Sequence, residues 1–281
     1  MKQTISHQTF DQERALYGLR DAVVEDCTFA GPADGESALK ETRGVEVKNC
    51  AFSLRYPLWH GEHCAMTGCT LDEGTRAPVW YTRDSSFADC RVEGVKFLRE
   101  CDRCRLERCE IRSPEFGWKC RSLQLTDCEI HSEYCLFDSS DVNITNLRMT
   151  GKYSFQYMKN LHIKDSVLDT KDAFWHSENV LVENSVVKGE YLGWFSKGLT
   201  LINCRIIGTQ PLCYCEELRL VNCTMEDTDL AFEYSSVEAD VRGHIVSVKN
   251  PKSGTIVADS VGEIIRDGSV METEGKVILR K

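Results

Sequence analysis

The sequence predicts an all-β chain, a single-stranded right-handed parallel β-helix of about 12 coils of ~19 residues each. Three observations carry that reading. First, a small residue recurs at Cys27, Cys50, Cys69, Cys90, Cys109, Cys128, Leu147, Ser166, Ser185, Cys204 and Cys223, with steps of 23, 19 and 21 and then 19 throughout. Second, the residue three positions earlier is always apolar, from Val24 and Val47 to Leu201 and Leu220, and so is the residue two positions later, from Phe29 and Phe52 to Ile206 and Met225. Third, the residue just before the marker is Asp or Asn in nine of the eleven coils. Ile5, Gln8 and Phe10 place one further coil upstream.

Each coil opens with a short apolar-x-apolar alternation such as Leu123-Gln124-Leu125 or Val180-Leu181-Val182, the period of a strand. The Asp or Asn that follows tolerates a left-handed bend. A second short strand then ends on the later apolar column. Parallel crossovers are right-handed almost without exception, which sets the hand. The marker cysteine is expected to stack inward as a small, weakly polar side chain interchangeable with Ser. The stretch Gly31–Glu36 accounts for the 23-residue step. Residues 1–235 form the predicted solenoid, and 236–281, rich in Val, Ile and Gly, complete or cap it.

A third strand is expected ten or so residues before the marker. All five tryptophans (Trp59, Trp80, Trp118, Trp175 and Trp194) lie in one column there. Strict alternation assigns that column inward, together with the column two positions earlier. The outward face then carries the column His60, Tyr81, Glu100, Lys119, Asp138, Tyr157, His176, Phe195 and Tyr214. It also carries a column through Glu115, Tyr134, Tyr153, Asp172 and Tyr191, with an apolar floor between them that includes Gly117 and Gly193. Arg99 interrupts the tryptophan column, where it would sit between Trp80 and Trp118 in need of an anion.

Composition narrows the function. A formal net charge of −10 excludes a general nucleic-acid or anionic-membrane binder. No apolar run is long enough to cross a membrane as a helix. The first residues show no apolar leader, so a cytoplasmic chain is expected. Fifteen cysteines are then read as reduced thiols. Cys101-x-x-Cys104 and Cys213-x-Cys215 have metal-like spacings, but they fall on repeat columns, so no metal and no cofactor are expected.

The outward stripe is the candidate site. The catalytic candidates are Glu100, Lys119, Asp138, Asp172 and His176. Carboxylates can act as acid and base, and a lysine can hold an anionic group. The binding candidates are Glu115, Tyr134, Tyr153 and Tyr157, with Trp118 and Trp175 joining them if the alternation runs the other way. Tyrosine rings would stack on sugar rings. A ladder of stacked ion pairs is the competing reading of Glu100, Lys119 and Asp138.

Strings such as Tyr56-Pro57-Leu58-Trp59-His60, Pro114-Glu115-Phe116-Gly117-Trp118 and Lys171-Asp172-Ala173-Phe174-Trp175-His176 resemble an uncharacterised bacterial family of domains of unknown function within the pectin-lyase-like right-handed β-helix superfamily. That resemblance spans nearly the whole chain. The superfamily implies polysaccharide lyases, hydrolases and epimerases, by analogy of fold alone. The expected partner is an oligosaccharide or another small ligand. A carbohydrate-binding or carbohydrate-active protein is therefore the first expectation, and a non-catalytic structural, self-assembling or protein-interaction solenoid the second.

Overall fold

In the computed structural model, residues 2–32 and 35–281 are described. Ala33 and Asp34, at the centre of the predicted insertion, lie outside them. The described residues contain strands, bridges and turns and no helix. They fall into two compact units, residues 1–143 and 144–281.

In the first unit the two apolar columns that flank the marker are parallel ladders. Ile5, Val24, Val47, Met66, Phe87, Leu106 and Leu125 pair in register, rung on rung. Phe10, Phe29, Phe52, Leu71, Val92, Ile111 and Ile130 do the same one bend later. From Val24 and Phe29 onward both columns are almost fully buried. In-register stacking also aligns the aromatic rings inside, with Phe29 and Phe52 parallel at 4.5 Å.

The second unit repeats the scheme. Ile163, Val182, Leu201 and Leu220 form one ladder, and Met149, Leu168, Val187, Ile206 and Met225 the other. Ser236–Arg242, Ser253–Ala258 and Lys276–Leu279 then add further parallel strands to the same sheet.

The Asx column makes the bend. Asp26, Asn49, Asp89, Asp127, Asp165, Asn184, Asn203 and Asn222 all take positive φ near 50°. Their side chains form a ladder in which each amide donates to the rung below: Asn184 to Asp165 at 3.2 Å, Asn203 to Asn184 at 3.0 Å and Asn222 to Asn203 at 2.8 Å. The marker residue turns inward just after the bend. Its Sγ or Oγ donates to the carbonyl two residues back, as in Cys204 to Ile202 at 3.3 Å and Ser185 to Glu183 at 2.7 Å. All fifteen cysteines are free and buried. Burial pushes the Cys50 and Cys215 thiols up to about 11.

The third segment departs from the expectation of a flat strand. Residues in its middle column take positive φ, including Leu98 (55°), Leu136 (55°), Phe155 (60°), Phe174 (62°) and Leu212 (62°). A second left-handed residue follows two positions later, as at Glu100, Lys119, Asp138 and His176. Strict alternation is therefore lost. Two successive residues point inward: Phe97 and Leu98, Phe116 and Gly117, Ala173 and Phe174. The middle column, expected to be an outward apolar floor, is buried core. The tryptophan column, expected inward, is half-exposed, Trp118 and Trp175 included. A non-glycine residue pays about 1–2 kcal/mol for left-handed backbone. Burying a Leu or Phe side chain returns about 1.5–3 kcal/mol, so the trade holds wherever the side chain is large.

Candidate functional site

One rule organises the outward wall of the third segment. The residue in the tryptophan column donates its side-chain N–H to a backbone carbonyl one coil on. Trp59 bonds Ala77 at 2.9 Å, Trp118 bonds Tyr134 at 2.9 Å, Trp175 bonds Tyr191 at 2.6 Å and Trp194 bonds Gln210 at 2.8 Å. Gln156 stands in by donating to Asp172 at 3.1 Å. The indole is thus polar-satisfied at the backbone and apolar toward solvent.

In the first unit the wall centres on Arg99. Its guanidinium lies 5.2 Å from the Trp80 ring centre and 4.6 Å from that of Trp118. It pairs with Glu115, which Lys96 also approaches at 4.0 Å. Glu115, a binding candidate, is therefore occupied by Arg99. Trp80 is an exception to the carbonyl rule, since its N–H reaches the Glu100 carboxylate at 3.3 Å. Glu100, Lys119 and Asp138 are exposed on successive coils of one column. The Glu100 amide bonds the Trp118 carbonyl, and the Lys119 amide bonds the Phe137 carbonyl, both at 2.9 Å. Among the described residues Lys119 makes no ion pair with either carboxylate, so the stacked ion-pair ladder does not form in this column. Below Glu100, Tyr81 stacks on His60 at 5.0 Å. Tyr134 carries the carbonyl that holds Trp118 and meets its ring edge-on at 5.9 Å.

In the second unit the wall is a continuous aromatic ladder. Tyr157, His176, Phe195 and Tyr214 stack nearly parallel, with ring centres 5.0, 5.0 and 4.8 Å apart. Trp175 and Trp194 form a second stack beside it at 5.5 Å and 7°. Tyr157 is 45% exposed and Phe195 43%. Both ring faces of His176 and Phe195 are covered by their neighbours, so what these two expose is ring edge. The stacking of Tyr157 on His176 likewise differs from the expectation that tyrosine faces stand free for sugar rings. Lys152 lies over the Tyr153 ring at 4.6 Å. Lys171 lies over that of Tyr191 at 5.1 Å and pairs with Glu190 at 2.7 Å. Asp172, a catalytic candidate, is buried, and burial raises its carboxyl above the ordinary range. His176, the other, is held between two rings.

In the first unit Glu100, Lys119 and Asp138 thus stand one to a coil, and in the second Asp172 and His176 share a coil in which Asp172 is buried and His176 is sandwiched. Two grooves are lined by other residues. One, of about 470 Å³, lies over Asp84, Ser86, Arg103, Arg105, Ser122 and Gln124. Another, of about 660 Å³, lies over Glu73, Glu93, Arg112, His131 and Glu133. Sequence reasoning passed over both, because their residues fall on solvent-facing strand positions of ordinary composition.

Glu62, His63 and Asp84 bring three metal-capable atoms within 4.8 Å of one another. Their charge is already met by arginines. Glu62 pairs with Arg43 and Arg83, both at 3.1 Å, and Asp84 with Arg103 at 2.6 Å. Hydrogen bonding from Arg83 and Arg103 respectively holds both carboxyls below their usual range. The cluster is an ion-pair ladder in this state.

Residues 3–279 match the family described as Protein of unknown function (DUF3737). No curated protein matches the chain by sequence. Among solved structures it is similar to PfbA, a surface adhesin of Streptococcus pneumoniae, at 7% identity and a TM-score of 0.57 over 83% of each chain. A looser likeness is to the A-module of the mannuronan C-5 epimerase AlgE6 of Azotobacter vinelandii. It has 12% identity and a TM-score of 0.43, over 98% of this chain and 89% of that one. At 7% identity the likeness to PfbA concerns fold alone, a right-handed parallel β-helix.

Proposed function

The chain belongs to the DUF3737 family, and we propose that it is a binding module that holds an extended oligosaccharide along the aromatic wall of residues 157–214 without chemically altering it. The observation that carries this reading is the ladder Tyr157–His176–Phe195–Tyr214 beside the pair Trp175–Trp194, half-exposed on successive coils. A contiguous apolar strip left open to solvent is an interaction surface. The C–H faces of sugar rings would pack across the ring edges. Their hydroxyls would bond Tyr191, Lys171 and Glu190 along one border.

Binding is preferred to catalysis on geometric grounds. Acid–base chemistry needs two groups within reach of one bond. Asp172 is buried, His176 is sandwiched, and Glu100, Lys119 and Asp138 each stand on a separate coil.

A glycan array on the full chain, followed by reducing-end and unsaturated-product assays on the glycans retained, tests this. We expect retention without turnover. Phe195→Ala and Trp175→Ala should each weaken binding tenfold or more, about 1.4 kcal/mol, with thermal melting showing that the variants remain folded. Turnover of a retained glycan would make the protein an enzyme. Retention of no glycan, with light scattering showing concentration-dependent association lost in Phe195→Ala, would make the wall a self-association surface.

A further inference from the structure

We infer that the first unit carries a second, separate site: a groove centred on Arg105 that takes a tetrahedral oxyanion, the phosphate or sulfate group of a small ligand. The groove has a volume of about 470 Å³ and lies on the first-strand face, one bend on from the third segment. Its floor is set by parallel pairing. Ser86, Arg105 and Gln124 are register partners on three successive coils, with Arg105 in the middle. Asp84, Arg103 and Ser122 form the neighbouring column two positions earlier.

The two arginines of the groove are in different states. Arg103 is spent: its Nε donates to one Asp84 oxygen at 2.6 Å and its Nη2 to the other at 2.9 Å, and it also pairs with Asp102. That fork neutralises Asp84, the one carboxylate lining the groove. Arg105 is exposed and has no counter-ion or side-chain hydrogen bond among the described residues. Among the described residues the Ser86 and Ser122 hydroxyls and the Gln124 side-chain amide also have no protein partner. The buried Ser85 hydroxyl, in contrast, is fully engaged, accepting from the Cys64 amide at 3.1 Å and donating to the Arg83 carbonyl at 2.8 Å.

Unspent donors of four side chains therefore surround one cavity, and the lining has two guanidiniums against one carboxylate in a chain of net charge −10. A planar guanidinium fork is the side chain best matched to an oxyanion, and a charge-assisted pair is the strong kind of hydrogen bond. Donors that approach from both sides of Arg105 suit a tetrahedral group, whose oxygens point in four directions, better than a carboxylate, whose lone pairs lie in one plane. Coils are about 4.8 Å apart, so Ser86 and Gln124 approach such a group from opposite sides of Arg105. The remaining volume leaves room for the organic part of a monoester.

Titration of the full chain with inorganic phosphate, inorganic sulfate and glucose 6-phosphate, followed by amide chemical shifts at about 0.15 M salt, tests the assignment. We expect saturable shifts at Ser86, Arg105 and Gln124, weakened tenfold or more in Arg105→Gln and less in Ser86→Ala. Arg219→Gln, an exposed arginine of the other unit, should bind as the wild type does. Tighter binding of glucose 6-phosphate than of phosphate would assign a monoester, and equal binding the free anion. Either supports the site. Absence of saturable shifts with all three probes, or an Arg105→Gln variant that binds as the wild type does, would overturn it.

Discussion

Glu115 supplies the counter-charge for Arg99, whose guanidinium is held between the faces of Trp80 and Trp118. The pair joins adjacent coils, because Glu115 stands where most coils offer a backbone carbonyl to the tryptophan column. Arg99 occupies an aromatic position and keeps the coil-to-coil connection by a different chemical means.

The pair makes a stability prediction. Arg99 is 15% exposed, so removing its partner leaves a largely desolvated charge. Glu115→Gln should lower stability by about 1–3 kcal/mol. Arg99→Met, which keeps the packing against the indoles, should cost less. Urea unfolding of both singles and the double variant measures the coupling, and additive losses would show that the pair contributes nothing.

A charge placed in the apolar ladder should unfold the chain. Leu125 is 1% exposed and packed in register above Leu106. Leu125→Asp introduces a carboxylate with no partner among buried side chains. The loss of the cooperative melt, followed by circular dichroism, is the expected result. A folded variant of near-normal stability would contradict the buried ladder.

The marker cysteines should behave as packing. Cys204 and Ser185 occupy equivalent positions and donate to equivalent carbonyls. Cys204→Ser should cost less than about 1.5 kcal/mol, and Cys204→Leu about 1–3 kcal/mol through overpacking. The thiols, buried and with the Cys50 and Cys215 pKa values pushed up to about 11, should react with a disulfide reagent only as the chain unfolds. Fast labelling of several thiols in the folded protein would overturn this.

Asp172 should make stability fall as pH rises through its titration. Burial raises its folded pKa above the unfolded value, so the folded state holds the proton more tightly. Above the folded pKa the buried carboxylate is charged and costs stability. Below the unfolded value, about 4, the penalty is gone. Asp172→Asn keeps the left-handed backbone and removes the charge, so its urea midpoint should exceed that of the wild type at neutral pH. The gap should close as pH is lowered toward 4. An equal midpoint at both pH values would count against it.

The repeat was legible in the sequence because in-register stacking demands the same side-chain class at the same slot in every coil. Val24, Val47 and Met66 are three answers to one requirement, as are Cys204 and Ser185. The third segment was misread because the period-two rule presumes extended backbone, and here residues such as Phe174 and His176 are left-handed. A signal was present. Gly117 and Gly193 stand in the middle column at φ of 70° and 76°, where they mark the left-handed backbone. A Cβ added at Gly117 would come within 2.5 Å of the Leu136 side chain, so that column faces the core. The Arg105 groove was invisible because its residues converge only through register, and no local motif announces Ser86, Arg105 and Gln124 as neighbours.

The register Leu161, Val180 and Leu199, each 19 residues from the next, makes length a quantised property of this fold. Excising one whole coil, Ser166 through Asn184, joins a marker slot to the Asx that precedes it and returns every later side chain to an equivalent position. Excising a residue from within a ladder strand turns the rest of that strand to the wrong side, whereas the 21-residue step from Cys69 to Cys90, with Leu71 and Val92 still in register, shows that extra residues are absorbed outside the ladders. Such a chain can lengthen or shorten by duplication and loss of whole coils while keeping its core, so gene-length variation among its relatives is expected in steps of one coil.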